Sequence, residues 1–224
     1  MNLDPSFLVP ALLAVGVMLL VGFPVHEFSH AFAAFRLGDS TARYQGRLTL
    51  DPRRHFDPLG GTMLVISAVL SSFFIGWAKP TPVNPYNLAG GHRGEAIVAL
   101  AGPLSNLVLA AVVAIPVRVA SSPELLVRIL SNPLTTLIYD VGVIWVFINI
   151  SLFIFNLLPI PPLDGWRVLL GAVDPRTAYN LRRYEQYGFI LLLLILLVGG
   201  RVLVPVIFFV IDLLIPGARV YAPF

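Results

Sequence analysis

Ser6-Phe-Leu-Val-Pro-Ala-Leu-Leu-Ala-Val-Gly-Val-Met-Leu-Leu-Val-Gly-Phe-Pro-Val-His26-Glu27-Phe28-Ser29-His30 decides how this chain is read. Residues 6–25 are apolar at nearly every position and match the roughly 20 residues a helix needs to cross a bilayer. They run without a break into two histidines and a glutamate. Gly38-Asp39-Ser40 supplies a stop signal after Arg36, so the pattern predicts one helix from Ser6 to Arg36. Four more apolar stretches, residues 59–78, 95–117, 134–158 and 187–215, approach or exceed the same length. The 224 residues are 57% hydrophobic and only 12% charged, with a mean hydropathy of +0.85. A domain in water needs more charged surface than that, so lipid is the expected solvent. Asp4 is the only charge before Glu27 and no basic flank precedes the first run, so it is expected to stay as a permanent span rather than a cleaved signal peptide.

Working outward, the expected fold class is an all-α polytopic membrane protein of about four to six transmembrane helices. Residues 42–50 alternate in polarity before Asp51-Pro52, which predicts a short β element near the membrane surface. Helices are expected over Glu95–Arg118 and Leu134–Leu158, joined by a loop holding Pro123 and Pro133. Leu158-Pro-Ile-Pro-Pro-Leu-Asp-Gly165 must end the second of these, because each proline removes a donor and disfavours helix before it. A short amphipathic piece and a last apolar stretch from Tyr187 follow, with Gly199-Gly200 positioned to end or kink it. Residues 59–78 are expected to be a re-entrant segment. Bringing His26, His30 and Asp164 to one place requires an even number of crossings between Arg36 and Leu158, and the helices at 95–118 and 134–158 supply two. In that topology Arg118, Arg128, Arg201 and Arg219 lie on one side and the other eleven of the 15 basic residues on the Arg36 side, which the positive-inside rule reads as cytoplasmic.

His26-Glu27-Phe28-Ser29-His30 places two imidazoles at i and i+4, on one face of a helix, where they can grip one zinc ion. Glu27 beside them can take a proton from water. The alternative is a polar cluster that packs helices together, but such a cluster need not reproduce metal-ligand spacing, and burying three polar groups in lipid is costly. A catalytic zinc usually has three protein ligands. Cysteine is absent, which also excludes disulfides, so the third ligand is His, Asp or Glu. Asp164, at the proline-rich break, is the best candidate; the competing reading makes it a turn residue capping the next helix. His55 and Asp57 are read as an interfacial residue and a helix cap, against the competing idea of a metal ligand or gate. Trp77, Trp145 and Trp166 read as interface anchors or lipid-facing residues. The net charge of +3 is spread over several loops, which suits lipid headgroups and gives no sign of nucleic-acid binding.

Three blocks together resemble the site-2 protease family of intramembrane metalloproteases: His26-Glu-Phe-Ser-His30, Gly94-Glu-Ala-Ile-Val-Ala-Leu-Ala-Gly-Pro-Leu-Ser-Asn106, and Asn156 through Gly165. The length is similar to that of compact prokaryotic members without PDZ or CBS domains. The resemblance implies that residues 1–224 form one intramembrane metalloprotease domain with one Zn2+ per chain. It implies His26, His30 and Asp164 as zinc ligands, Glu27 as the general base, and Asn156 and Asn106 as groups that position substrate or stabilise an oxyanion. It further implies a multi-pass protein of the cytoplasmic membrane, with the site toward the cytoplasmic side. Its partner would be a membrane-protein substrate, either a single-span regulatory protein or a signal-peptide remnant. Two other classes fit the same polar residues: an ion-coupled transporter, which would usually show an inverted repeat not found here, and a catalytically inactive scaffold, which need not keep Glu27.

Overall fold

The computed structural model describes residues 5–70 and 74–216, and all regular structure within them is helical. α1 (Ser6–Arg36) runs as one long helix with a π-helical turn at Met18–Gly22. That turn precedes Pro24, whose ring would clash with the Leu20 carbonyl in an unbroken α-helix. Three short helices follow: α2 (Thr41–Tyr44), α3 (Pro52–His55) and α4 (Pro58–Leu70). The two long central helices are α5 (His92–Ala120) and α7 (Pro133–Asn156), with α6 (Pro123–Leu130) between them. The chain ends in α8 (Asp164–Ala172), α9 (Pro175–Arg182), α10 (Gly188–Val198) and α11 (Gly200–Leu214).

α1, α5 and α7 are long and apolar enough to cross a membrane, and the 175–214 region adds a fourth span if its bent helix pair counts as one. The expected four to six spans thus become three or four. The bend at Gly199-Gly200 is 76°, so the glycine pair kinks this region sharply.

Small residues let the spans approach closely. Ala11, Ala14, Val15 and Met18 of α1 bury against Ile144, Trp145 and Ile148 of α7 and Leu64 and Ala68 of α4. Ala110, Ala114 and Val117 of α5 pack on Val143, Val146 and Ile150 of α7 and Ile211 of α11. Lipid tails are as apolar as leucine, so close packing of this kind, rather than escape from water, holds such helices together.

Three sequence expectations are corrected. Among the described residues there is no β element: residues 42–50 form a helical turn and bends. Gly46 has φ +66, a left-handed conformation that interrupts an extended strand. Arg47 turns inward and donates its guanidinium to the carbonyls of Lys79 and Pro80. The expected loop at 123–133 contains α6, because Pro123 and Pro133 both sit at helix starts, where a missing N–H costs nothing. Trp145 and Trp166 are buried inside the protein, and of the three tryptophans only Trp77 is exposed.

The 59–78 stretch folds back on itself. α4 has 13 residues, a rise of about 20 Å against the roughly 30 Å of a bilayer core. The returning limb lies directly on it. Ile75 N donates to Ser67 Oγ at 2.8 Å, and a Cβ on Gly60 would stand 2.1 Å from the Trp77 carbonyl oxygen. Lys79 N then donates to His55 O at 2.8 Å, so entry and exit lie side by side. Ser71 and Ser72 fall outside the described residues.

This geometry requires residues on either side of the hairpin to share one face of the membrane. The chain has no cysteine, so single cysteines at Tyr44, Tyr86 (86% and 98% exposed) and Glu124 can be probed with an impermeant thiol reagent on intact cells. Tyr44→Cys and Tyr86→Cys should react alike and Glu124→Cys in the opposite sense. A Tyr86→Cys response matching Glu124→Cys would mean that the stretch crosses.

Candidate metal centre

Two helices supply the centre. His26 and His30 lie one turn apart on α1, and Asp164 is the first residue of α8. The break after Asn156 delivers it: Pro159, Pro161 and Pro162 forbid continuation of α7, and the turn brings Asp164 back against α1. His26 Nε2 and His30 Nε2 are 3.1 Å apart. Asp164 Oδ2 stands 3.5 Å from the first and 3.3 Å from the second. Among the described residues this is the only group of three or more His, Asp or Glu side chains close enough to share an ion.

The donor set fits zinc. Ligand atoms about 2.0–2.2 Å from a tetrahedral zinc stand about 3.3–3.6 Å from one another, close to the separations found. The His30 tautomer agrees as well. Its Nδ1 sits 2.8 Å from the Val98 carbonyl oxygen and must donate to it, which leaves Nε2 as a lone pair facing His26 and Asp164. Metal-binding histidines are commonly fixed in this way through their second nitrogen. Asp164 Oδ2 faces that lone pair and His26 Nε2, so an ionised Asp164 would complete a three-ligand set.

The third wall is α5. At Gly102 a Cβ would come 2.2 Å from His30 Nε2 and 2.8 Å from His26 Cε1, so only glycine leaves room for both imidazoles. Glu27, 8% exposed, points its carboxylate at a segment from another part of the chain: Thr81 N donates to Glu27 Oε2 at 2.8 Å.

The remaining candidates divide. Asn156 is half-buried at the last turn of α7, on the same connection as Asp164. Asn106 is fully buried, and neither its amide nitrogen nor its amide oxygen has a partner. Asn149 of α7, unremarked in the sequence, is equally buried and has an unpaired Oδ1. Asp57 caps α4, accepting from Gly60 N at 2.8 Å. His55 is 1% exposed with Nε2 2.7 Å from the Thr49 carbonyl oxygen; it is a core residue rather than an interfacial one, and it is not part of the metal cluster. His92 is exposed at the start of α5.

Gly102, the Val98 carbonyl and Thr81 were not singled out from sequence. The Ala-Gly-Pro around Gly102 marks a place where a helix is thinned. No side-chain pattern marks a main-chain carbonyl such as that of Val98.

Residues 13–199 match the model of peptidase family M50. "Putative zinc metalloprotease YwhC" of Bacillus subtilis (strain 168) is 36% identical over 207 residues, covering 91% of this chain and 88% of that protein. "Putative zinc metalloprotease Rip2" of Mycobacterium tuberculosis (strain ATCC 25618 / H37Rv) is 34% identical over 190 residues, 82% of this chain and 68% of its own length. "Putative zinc metalloprotease MJ0611" of Methanocaldococcus jannaschii is 32% identical over 164 residues, 71% of this chain and 68% of its own. No solved structure matches.

If Asp164 is the third ligand, Asp164→Ala will lower zinc affinity, whereas His55→Ala and Asp57→Ala will leave it close to the parent's. Gly102→Ala should also weaken binding, by about 10–100-fold, since its methyl group must displace an imidazole. Competition titration with a chromophoric chelator measures all four. Parent-like affinity in Asp164→Ala together with a loss in Asp57→Ala would reassign the third ligand.

Proposed function

The chain belongs to peptidase family M50, the site-2 protease family, and from this premise we propose that it is a zinc-dependent intramembrane endopeptidase. It would hydrolyse peptide bonds within or beside the transmembrane segments of membrane-protein substrates. The observation that carries this reading is the meeting of His26, His30 and Asp164 at 3.1–3.5 Å beside a buried glutamate, on a helix apolar enough to span a membrane. His26, His30 and Asp164 would hold one Zn2+ per chain. Zinc held there would polarise the scissile carbonyl and make water more acidic.

The chain's own groups do the rest. Glu27 accepts the proton of the attacking water at its carboxylate and passes it to the leaving amine. Asn156, half-buried beside the Asp164 turn, can donate an amide N–H to negative charge developing on the carbonyl oxygen without titrating itself. Asn106 is sealed between helices; we assign it to the packing behind the site rather than to contact with the reacting atoms.

A helical substrate hides its peptide groups in its own hydrogen bonds, so it must unwind before cleavage. The non-helical limb at Ile75–Ala78, with Trp77 exposed, is the surface we assign to the unwound chain, since an extended peptide can pair with an exposed backbone edge. With residues 42–50 not extended, that limb is the better of the two edges. The substrates would be single-span regulatory proteins or signal-peptide remnants in the cytoplasmic membrane, and the charge bias of the loops supports a site toward the cytoplasmic side.

An unfolded, fluorophore-saturated polypeptide needs no unwinding and serves as a probe for the purified chain in detergent. Glu27→Gln should cut it about 100–10,000-fold more slowly while keeping the parent's zinc content. Parent-like turnover would remove Glu27 from its role, and cleavage that persists after zinc is stripped would remove zinc. Comparing membrane-protein fragments in cells carrying parent or Glu27→Gln enzyme then tests the substrate class: loss of only soluble-protein fragments would overturn it.

A further inference from the structure

We propose that Thr81 is a positioning residue for Glu27: it clamps the glutamate at two points and thereby fixes which carboxylate oxygen faces the attacking water. This rests on the reading of Glu27 as the general base. The argument begins with Lys79-Pro80-Thr81-Pro82. Proline has no N–H, and a residue before proline is pushed to extended backbone. Across Pro80–Pro82 the main chain therefore has one donor, the N–H of Thr81. That donor goes to Glu27 Oε2 at 2.8 Å. The Thr81 hydroxyl donates to the main-chain oxygen of the same glutamate at 3.0 Å. One residue thus grips both the carboxylate and the backbone of Glu27, 54 positions away in sequence.

The clamp is itself braced. Lys79 N donates to His55 O at 2.8 Å, and the Arg47 guanidinium donates to the carbonyls of Lys79 and Pro80. On the other side, Asn84 N donates to Asp39 Oδ2 at 2.7 Å. Asp39 is fully buried, and Asn87 Nδ2 and the Thr41 N–H and hydroxyl also donate to it. Burial opposes its charge, but these donors hold its carboxyl below the usual range. Residues 74–84 form no helix or strand, so these contacts are what fix the height of Thr81 over α1.

A glutamate has three rotatable side-chain bonds, and left free it would sample orientations that aim neither oxygen at the reacting water. Tying Oε2 to Thr81 leaves Oε1 as the accepting atom and holds its direction. A displacement of about 1 Å in such a group can cost about 100-fold in rate. The competing possibility is that Thr81 only staples its segment to α1, in which case its loss would disturb substrate binding and the metal as much as turnover.

Three changes in the purified full-length chain separate these. Thr81→Val removes the hydroxyl at nearly constant shape, and Thr81→Ser restores it. Replacing Thr81 by its α-hydroxy analogue exchanges the N–H for an ester oxygen, which removes the bond to Oε2 and keeps the hydroxyl, at the cost of a weaker Pro80 carbonyl acceptor for Arg47. With the fluorophore-saturated polypeptide as probe, the ester should lower kcat about 10–100-fold with KM and zinc content unchanged. Thr81→Val should lower kcat less, and Thr81→Ser should recover to near the parent. In a Glu27→Gln background the ester should have no further effect, because groups that act as a unit are not additive. Parent-like kcat in the ester form, or a parallel loss of KM, zinc and kcat in both Thr81→Val and Thr81→Ser, overturns the proposal while leaving Glu27 its role. If Glu27→Gln alone turns over like the parent, the general-base reading fails and the clamp falls with it.

Discussion

The constraint on which much of this structure depends is the meeting of three polar atoms, two imidazole nitrogens and a carboxylate oxygen, within about 3.5 Å of one another among apolar helices. Two imidazoles come at no extra cost in chain topology, since i and i+4 share a helix face. The carboxylate does not. Asp164 lies 134 residues beyond His30 in the chain, and its approach requires α5 and α7 to lie close, α7 to stop at Asn156, and α5 to present no side chain at Gly102. The alanines of α1 and α5 belong to the same requirement, because they let backbones come near enough for a short side chain such as aspartate to reach.

The carboxylate's helix is also tied down from behind. Glu95, buried at the first turn of α5, accepts from Arg182 at 3.0 Å and lies 4.0 Å from Arg167 of α8. Trp166, two residues after Asp164, donates its indole N–H to Glu185 at 3.0 Å. Exposed ion pairs add little to stability. A buried carboxylate like Glu95, however, is costly to leave unpaired, so its partners are held to one geometry. The charges at this end of the bundle therefore fix the register of α8 against α5 more than they add net stability.

The 58–79 hairpin and the segment after it obey a different constraint, the need to satisfy backbone donors and acceptors where neither helix nor sheet does so. Ser67, Arg47, Asp39 and the His55 carbonyl take up the peptide groups of this path one at a time. Prolines at 80, 82 and 85 reduce the number of donors to be satisfied. What is left is a path with neither helix nor strand that passes over Glu27, positioned by groups scattered through residues 39–67.

Length and hydropathy sufficed for the all-helical membrane class, because crossing lipid leaves a short menu of structures; α1 ended at Arg36 as Gly38 had implied, and α7 at Asn156, two residues before the expected Leu158. The meeting of His26, His30 and Asp164 was legible for a related reason: metal chemistry restricts residue types and, on a helix, their spacing. Local pattern misled where tertiary contacts decided. Residues 42–50 alternate like a strand, yet Gly46 is left-handed and Arg47 turns inward to the carbonyls at 79 and 80. Trp145 and Trp166, typed as membrane anchors by composition, are buried by the helices around them. Only the three-dimensional structure could show that Val98 orients His30, that Gly102 makes room for both imidazoles, and that Thr81 holds Glu27. Those contacts use main-chain atoms, an absent side chain and a partner 54 positions away, none of which has to leave a periodic mark in the sequence.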